Sequence, residues 1–410
     1  MSKLFIVDDD LATCNLLKTV SSSVYPNATV FESGPEFLQQ NISGADIVIL
    51  DLMMPNFDGI EVIRHLAQKQ LFPKLILISG YDKGVLYSAE RLAHDYGLEV
   101  LSSFTKPISI DGLIITLKAA NFKSVQSSLS APLLEAKLAP NKTATNKSFT
   151  PTVEDIELGI KEHQFTLYYQ PQVLIESNTL LGVEALVRWQ HPIHGLIFPD
   201  KFIPLAEQSG AIEQLTKEIL DLAIQQSSQW QAQSLFIKIS INLSAQNINS
   251  LQLPEQLRTL VKSHHLDPSM IVLEVTESAL MGNLTTSLDI LTRLRLKGFQ
   301  LSIDDFGTGF SSLSQLHKIP FTELKIDQSF ISKIVSDPES LAIVETCIML
   351  GHKLNMQVVA EGIETQEVLS LLTQMGCDIA QGYFLAKPMP PEALIKWQQE
   401  RLITSNCITN

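Results

Sequence analysis

Strand-length runs of Val, Ile and Leu recur along this chain, separated by amphipathic stretches, and in the second half most of them end on a charged or amide side chain. LLGVEALVRW, KISINLS, IVLEVTES and QLSIDDFGTG carry Glu184, Asn242, Glu274, Asp304 and Asp305, and LKID and VVAEG add Lys325 and Glu361. A carboxylate inside an apolar run is costly unless it is paired or bound to a metal. Its repetition at successive strand ends predicts one shared cation site. Strands alternating with helices predict an α/β fold with parallel sheets covered by helices.

The chain has 410 residues, room for two or three domains. A net charge of −14 speaks against a nucleic-acid coat, and no helix-turn-helix pattern follows the first domain, so no DNA contact is expected. Cys14, Cys347, Cys377 and Cys407 form no CxxC pair, which fits a reducing compartment. The apolar stretch in MSKLFIVDDD is too short for a signal peptide, and no run approaches the roughly 20 residues of a membrane span. A cytoplasmic protein without a membrane span is expected.

Residues 1–120 contain the runs KLFIV, ATVF, DIVILD, KLILIS and a weaker VLSSFTKP, with helical spacing in LATCNLLKTVSSSV and GIEVIRHLAQKQ between them. Residues 121–150, rich in Ser, Thr, Lys, Ala and Pro, read as a linker. From 151 to 402 eight runs follow: FTLYYQP, GVEALVRW, KISINLS, IVLEVTE, QLSIDDF, ELKID, QVVAEG and IAQGYF. Eight strands with helices between them over about 250 residues match a (β/α)8 barrel, whose active mouth is formed by the C-terminal strand ends.

In the first domain, Asp8 and Asp9, Asp51, Ser79 and Lys106 all fall at strand ends, which a parallel α/β sheet gathers into one crevice. Three acids in one crevice repel unless a divalent cation sits among them, and Mg²⁺ suits an all-oxygen site. Lys106 can neutralise a phosphoryl oxygen and the Ser79 hydroxyl can donate to another. IVDDD, VILDLMMPNFDG, LILISG and FTKP together resemble the receiver domain of bacterial response regulators. The resemblance implies a flavodoxin-like, five-stranded parallel sheet and one Mg²⁺ held with the help of Asp8 and Asp9. It also implies Asp51 as acceptor of a phosphoryl group from a cognate histidine kinase, contacted by Ser79 and Lys106. Many receivers carry an aromatic residue three positions before the lysine; here that position is Ser103, and Phe104 follows.

In the second domain, Glu184, Asn242, Glu274 and Asp304 suit one divalent ion. Asp304 can bridge to a second ion completed by Asp305 and Glu361. Two such ions about 3.5–4 Å apart clamp the attacking and leaving oxygens of a phosphoryl displacement. A ligand set without histidine favours Mg²⁺ or Mn²⁺ over zinc. Lys325 brings a cation to the acids, and Arg188, on the face of Glu184, can fork onto a phosphate. A single strand-end acid is usually a cap or a surface charge; the conjunction across seven strands is not.

YYQPQ, VEALVRWQHP, FIPLAEQSG, INLS, EVTES, DDFGTGFSSL, LKIDQSF, VVAEGIE and QGYFLAKPMP resemble the EAL domain, the bacterial cyclic di-GMP phosphodiesterase. The paired architecture resembles response regulators with a phosphodiesterase output. The resemblance implies a modified, TIM-like (β/α)8 barrel hydrolysing cyclic di-GMP to linear pGpG. It implies two ions on Glu184, Asn242, Glu274, Asp304, Asp305 and Glu361. Lys325 would position the nucleophilic water, with Glu361 sharing the general-base role. Gln170, Arg188 and Gln381 would contact substrate, and Glu277 and Asp327 would support the DDFGTGFSSL loop. A homodimer or higher homo-oligomer is expected, since both domain types self-associate. Competing readings are a receptor that holds cyclic di-GMP without cutting it and a regulator acting through protein contacts. The complete ligand set favours turnover.

Overall fold

The computed structural model describes residues 2–122, 150–281, 284–308, 316 and 318–408. Most of the expected linker, 123–149, and residues 309–315 of the DDFGTGFSSL loop lie outside the described residues. The chain divides into two compact units.

The first unit holds β1 (Leu4–Val7), β2 (Thr29–Phe31), β3 (Ile47–Asp51), β4 (Lys74–Ser79) and β5 (Val100–Thr105). They pair in parallel in the order β2-β1-β3-β4-β5, the doubly wound order of flavodoxin-like folds. Every residue of β3, IVILD, is buried, as expected of a central strand covered on both faces. On one face Ile6, Ile49, Ile76 and Ile78 pack with Cys14 and Leu17 of helix Leu11–Ser21 and with Leu113 and Leu117 of helix Ile110–Phe122. Each fully buried Ile or Leu contributes roughly 1.5–3 kcal/mol. The third aspartate of IVDDD has a different task from the first two. Asp10 caps helix Leu11–Ser21, accepting from the amides of Ala12 at 3.0 Å and Thr13 at 3.3 Å.

The register of β4 against β5 slips between Leu75 and Ile76, so one residue of β5 is extra. Beyond the slip Phe104 lies opposite Ile78 and packs into the core described above. Ser103, opposite Leu77, therefore takes the other face. The aromatic ring next to the Ser103 position is thus committed to the core.

The second unit is a closed barrel. Its strands are β6 (Phe165–Leu174), β7 (Leu180–His191), β9 (Lys238–Leu243), β10 (Ile271–Thr276), β11 (Gln300–Phe306), β12 (Glu323–Ile326), β13 (Gln357–Ala360) and β14 (Ile379–Ala380), while β8 (Gly195–Ile197) extends β7 as a hairpin. Pairing runs β6-β14-β13-β12-β11-β10-β9-β7 and closes through β6–β7. β6 is antiparallel to both neighbours, unlike the parallel remainder. Only residues 175–179 join β6 to β7. A parallel pair needs a crossover of a dozen or more residues, so a hairpin is the one solution for so short a link. The last strand is shorter than IAQGYF, ending before Gln381, because the chain turns there. Helices Ile212–Ala232, Leu253–Ser263, Leu284–Leu296, Pro338–Lys353 and Gln366–Gln374 supply crossovers. Pro338 opens its helix behind Asp337, whose carboxylate accepts from the Glu339 and Ser340 amides.

Candidate functional site

Two clusters stand at C-terminal strand ends, one in each unit. In the first, Lys106 Nζ donates to Asp8 Oδ2 at 3.0 Å and Asp51 Oδ2 at 2.8 Å. Oxygens of Asp8, Asp9 and Asp51 lie within 4.8 Å of one another. Ser79 is buried at the end of β4, its hydroxyl accepting from the Tyr81 amide at 3.1 Å. Burial, and then the neighbouring Asp51, raise the Asp8 pKa above the ordinary aspartate value. Burial alone would lower the Lys106 pKa, but Asp51 and Asp8 outweigh it and raise it. A cation drawn to these acids would lift the strain between Asp8 and Asp51.

The barrel mouth is built around Lys325. Its Nζ lies 2.7 Å from Glu361, 3.0 Å from Glu274, 3.3 Å from Asp304 and 3.5 Å from Glu184. Those four acids come from β7, β10, β11 and the end of β13, so the barrel gathers what the chain scatters. Asn242 donates to Glu184 Oε1 at 3.0 Å and Gln381 to Glu184 Oε2 at 2.6 Å. Asp305 joins the mouth through a local break. The β11–β12 register shifts between Ile303 and Phe306, and Asp305 sits at φ 55°. With the pleat interrupted, oxygens of Asp304, Asp305 and Glu361 come within 4.8 Å of one another.

The electrostatics are those of a centre short of positive charge. Burial alone would lower the Lys325 pKa, yet Glu184, Glu274, Glu361 and Asp304 hold it well above the ordinary lysine value. Burial drives Glu274 well above the usual carboxylate range, against the pull of Lys325. Glu361 is pushed up to about 8, by burial first, with Asp304 and Glu184 adding to it against Lys325. Glu184 is burdened by burial too, but Lys325 and the amides of Gln381 and Asn242 bring it below its ordinary value. Burial raises Asp305, and Asp304 and Asp327 raise it further. Glu274 is wholly enclosed and its Oε1 has no hydrogen-bond partner. Such an orphan costs about 1–3 kcal/mol, more for a charged group, unless something ligates it. Five carboxylates thus face one ammonium, an excess that two divalent ions would cancel. An all-oxygen donor set with an orphaned oxygen fits hard cations.

Gln170, opposite Glu184 across the β6–β7 pair, accepts from Gln381 at 3.3 Å and donates to the Ala386 carbonyl at 3.2 Å. Gln170 and Gln381 are therefore tied to the Glu184 carboxylate. Gly382 makes the approach of Gln381 possible, since a Cβ there would stand 2.2 Å from the Ile363 backbone. Arg188 is buried between the rings of Tyr168 and Phe198, its guanidinium 5.7 and 5.1 Å from their centres. Glu277 is buried in the turn Glu277–Met281 that follows β10, and most of the loop it was expected to support lies outside the described residues. Asp327 caps the short helix Gln328–Ile331, accepting from Ser329 at 3.0 Å.

Two residues outside the expected set take part: Gln172, which stands out in YYQPQ where Ile is common, and Glu323. Gln172 is buried and donates to Gln381 Oε1 at 3.0 Å, so it steadies the amide that holds Glu184. Its signal was a second glutamine two residues after Gln170, on the same strand face. Glu323 is buried two residues before Lys325, where the same rule puts it on the inner face.

The chain matches the family model described as EAL domain over residues 153–388 and that of the response regulator receiver domain over residues 4–118. It is 30% identical over 387 residues to the cyclic di-GMP phosphodiesterase RocR of Pseudomonas aeruginosa, covering 94% of this chain and 95% of that protein. It is 43% identical over 244 residues to the bifunctional diguanylate cyclase/cyclic di-GMP phosphodiesterase MucR of the same species, covering 59% of this chain and 36% of MucR. With the oxygen sensor protein DosP of Escherichia coli it shares 41% identity over 245 residues, 60% of this chain and 31% of DosP. The chain thus spans about a third of the length of MucR and DosP, and nearly all of RocR. A solved phosphodiesterase structure of MucR in complex with c-di-GMP aligns at a TM-score of 0.57 with 43% identity, covering 59% of this chain and 98% of that one. Among the described residues, no helix is long and apolar enough to cross a membrane.

Proposed function

The chain belongs to the EAL domain family, with a response regulator receiver domain ahead of the barrel, and on that footing we propose that it hydrolyses cyclic di-GMP to linear pGpG under the control of receiver phosphorylation. The observation that carries the reading is the barrel mouth. An enclosed lysine is ringed by four acids, and one of them, Glu274, keeps an oxygen without a partner.

Glu184, Asn242, Glu274 and Asp304 would hold one Mg²⁺ or Mn²⁺ ion, and Asp304, Asp305 and Glu361 a second. When bound, such ions supply hydroxide near neutral pH and charge neutralisation at the phosphoryl group. The rest falls to the protein. Lys325, held protonated, donates to the attacking water or to a non-bridging phosphoryl oxygen. Glu361, 2.7 Å from the Lys325 ammonium at the end of β13, is placed to take the proton of that water. The water oxygen bonds to phosphorus, and the displaced ribose oxygen leaves and gains a proton. Gln170, Gln172 and Gln381 hold Glu184 in line. Arg188, its guanidinium braced between two rings, is suited to a phosphate or to a base face.

In the receiver, Asp51 would accept the phosphoryl group from a histidine kinase. Mg²⁺ would sit beside Asp8 and Asp9, and Lys106 would turn to the new phosphoryl oxygens. The test is direct. Purified protein with Mg²⁺ or Mn²⁺ should convert cyclic di-GMP to pGpG, followed by chromatography. Substrate left intact with either ion refutes the reading, and persistent binding without turnover would point to a receptor. Acetyl phosphate should change the rate of the wild type and leave that of Asp51→Asn unchanged.

A further inference from the structure

The barrel interior beneath the mouth is not apolar. Strand register links Asn242 to Glu274, Glu274 to Ser302, Ser302 to Glu323 and Glu323 to Gln357. These five polar side chains form an unbroken row across β9–β13. The row starts at the mouth and ends at Gln357, whose amide oxygen accepts from Lys238 Nζ at 3.4 Å. Barrel interiors are ordinarily filled by Val, Ile and Leu. Glu323, the fourth of the five, is fully enclosed, with Oε1 lacking any hydrogen-bond partner. Burial raises its pKa above the ordinary glutamate value, against the pull of Lys325 and Lys238, and the Ser302 Oγ beside it in the row is unpartnered too. Ser240 Oγ, two residues before Asn242 on β9, is a further unpartnered group.

Lys325 creates the problem that Glu323 can answer. Its ammonium occupies four carboxylates that the proposed ions also need. When those oxygens turn to divalent ions, the lysine is left among cations. Glu323 is two residues back on the same strand and on the same face. Resting on the metal-dependent reading of the mouth, we propose that Glu323 is a positioning residue, the counter-charge that retains Lys325 from beneath when ions claim its carboxylates.

The test is a calorimetric Mn²⁺ titration of substrate-free, full-length wild type, Glu323→Gln, Lys325→Met and the double variant. Glu323→Gln should weaken Mn²⁺ binding about fivefold to tenfold when Lys325 is present and less than about twofold in the Lys325→Met background, a coupling typical of contacting charges. In turnover it should lower kcat and leave KM for cyclic di-GMP unchanged. Equal weakening in both backgrounds, or none in either, overturns the proposal. Should Glu323→Gln fail to fold, Glu323→Asp decides. It keeps the charge, so Mn²⁺ binding should stay within about twofold of wild type, and a loss of about fivefold overturns the proposal. Wild-type turnover is measured alongside. Turnover without coupling defeats this inference alone, coupling without turnover supports it and defeats the proposed function, and absent Mn²⁺ binding defeats both.

Discussion

Replacing Lys325 by Met tests the mouth most severely. Methionine nearly matches the lysine stem in volume, so little cavity forms, and what disappears is the ammonium. Four acids that now lie 2.7–3.5 Å from it would be left facing one another in an enclosed site. Removing one partner of a buried pair costs about 3–5 kcal/mol. In a domain of this size each kcal/mol moves the melting point by about 2–4 °C. The barrel transition of ion-free Lys325→Met should therefore fall by about 6–20 °C at pH 7.5. Acid should narrow the gap, because protonated carboxyls no longer repel. Mn²⁺ should narrow it too, since a ligand at a hundred times its Kd stabilises by about 2.7 kcal/mol and replaces the lost charge. Turnover should drop by about 10²–10³-fold. The assay is thermal melting followed by circular dichroism in chelator, at pH 5.5 and 7.5, then with Mn²⁺. A variant that melts within about 2 °C of wild type at pH 7.5 without ions would refute the claim that Lys325 holds the acids together.

Asp51→Asn should abolish the mass gain of one phosphoryl group on incubation with acetyl phosphate and Mg²⁺, read by intact-protein mass spectrometry. Gln172→Ile removes the donor to Gln381 Oε1 and leaves a buried acceptor, costing about 1–3 kcal/mol in urea unfolding. The folded Glu361 pKa of about 8 lies above its unfolded value, so its stabilising contribution is complete below about pH 4.5 and is lost as pH rises through about 8. Ion-free protein should unfold in less urea at pH 8.5 than at pH 6, and Glu361→Gln should flatten that dependence. Burial pushes the thiols of Cys14 and Cys347 up to about 11 and that of Cys377 up to about 12. Iodoacetamide at pH 8 should spare all three in the native protein and label them in urea, as peptide mapping would show.

The receiver was legible in its strands because a parallel sheet covered on both faces needs continuous apolar runs, and IVILD is one. It was less legible at IVDDD. Three identical acids in a row do not announce which one caps a helix, and only the start of helix Leu11–Ser21 separates Asp10 from Asp8 and Asp9. In the barrel, run length and composition carry no direction, so the antiparallel β6 shows only in the shortness of the link at 175–179. The slip in β5 was invisible for a related reason: an inserted residue in an apolar run leaves the composition unchanged while exchanging the faces of Ser103 and Phe104.

The mouth and the interior beneath it differ in legibility for one physical reason. At the mouth the acids interrupt apolar runs, and the break in hydropathy marks Glu184, Glu274 and Asp304 without knowledge of partners. Glu323 also sits beside an apolar run, yet its place at the run's start looks like an ordinary solvated strand end. What makes it part of the interior is the register that sets it beside Ser302 on one side and Gln357 on the other. Gln172 is the same case, since its partner Gln381 is 209 residues away. A side chain that works by its own charge at a strand end can be read along the chain. One that works by its neighbours across strands becomes readable only once the sheet has closed.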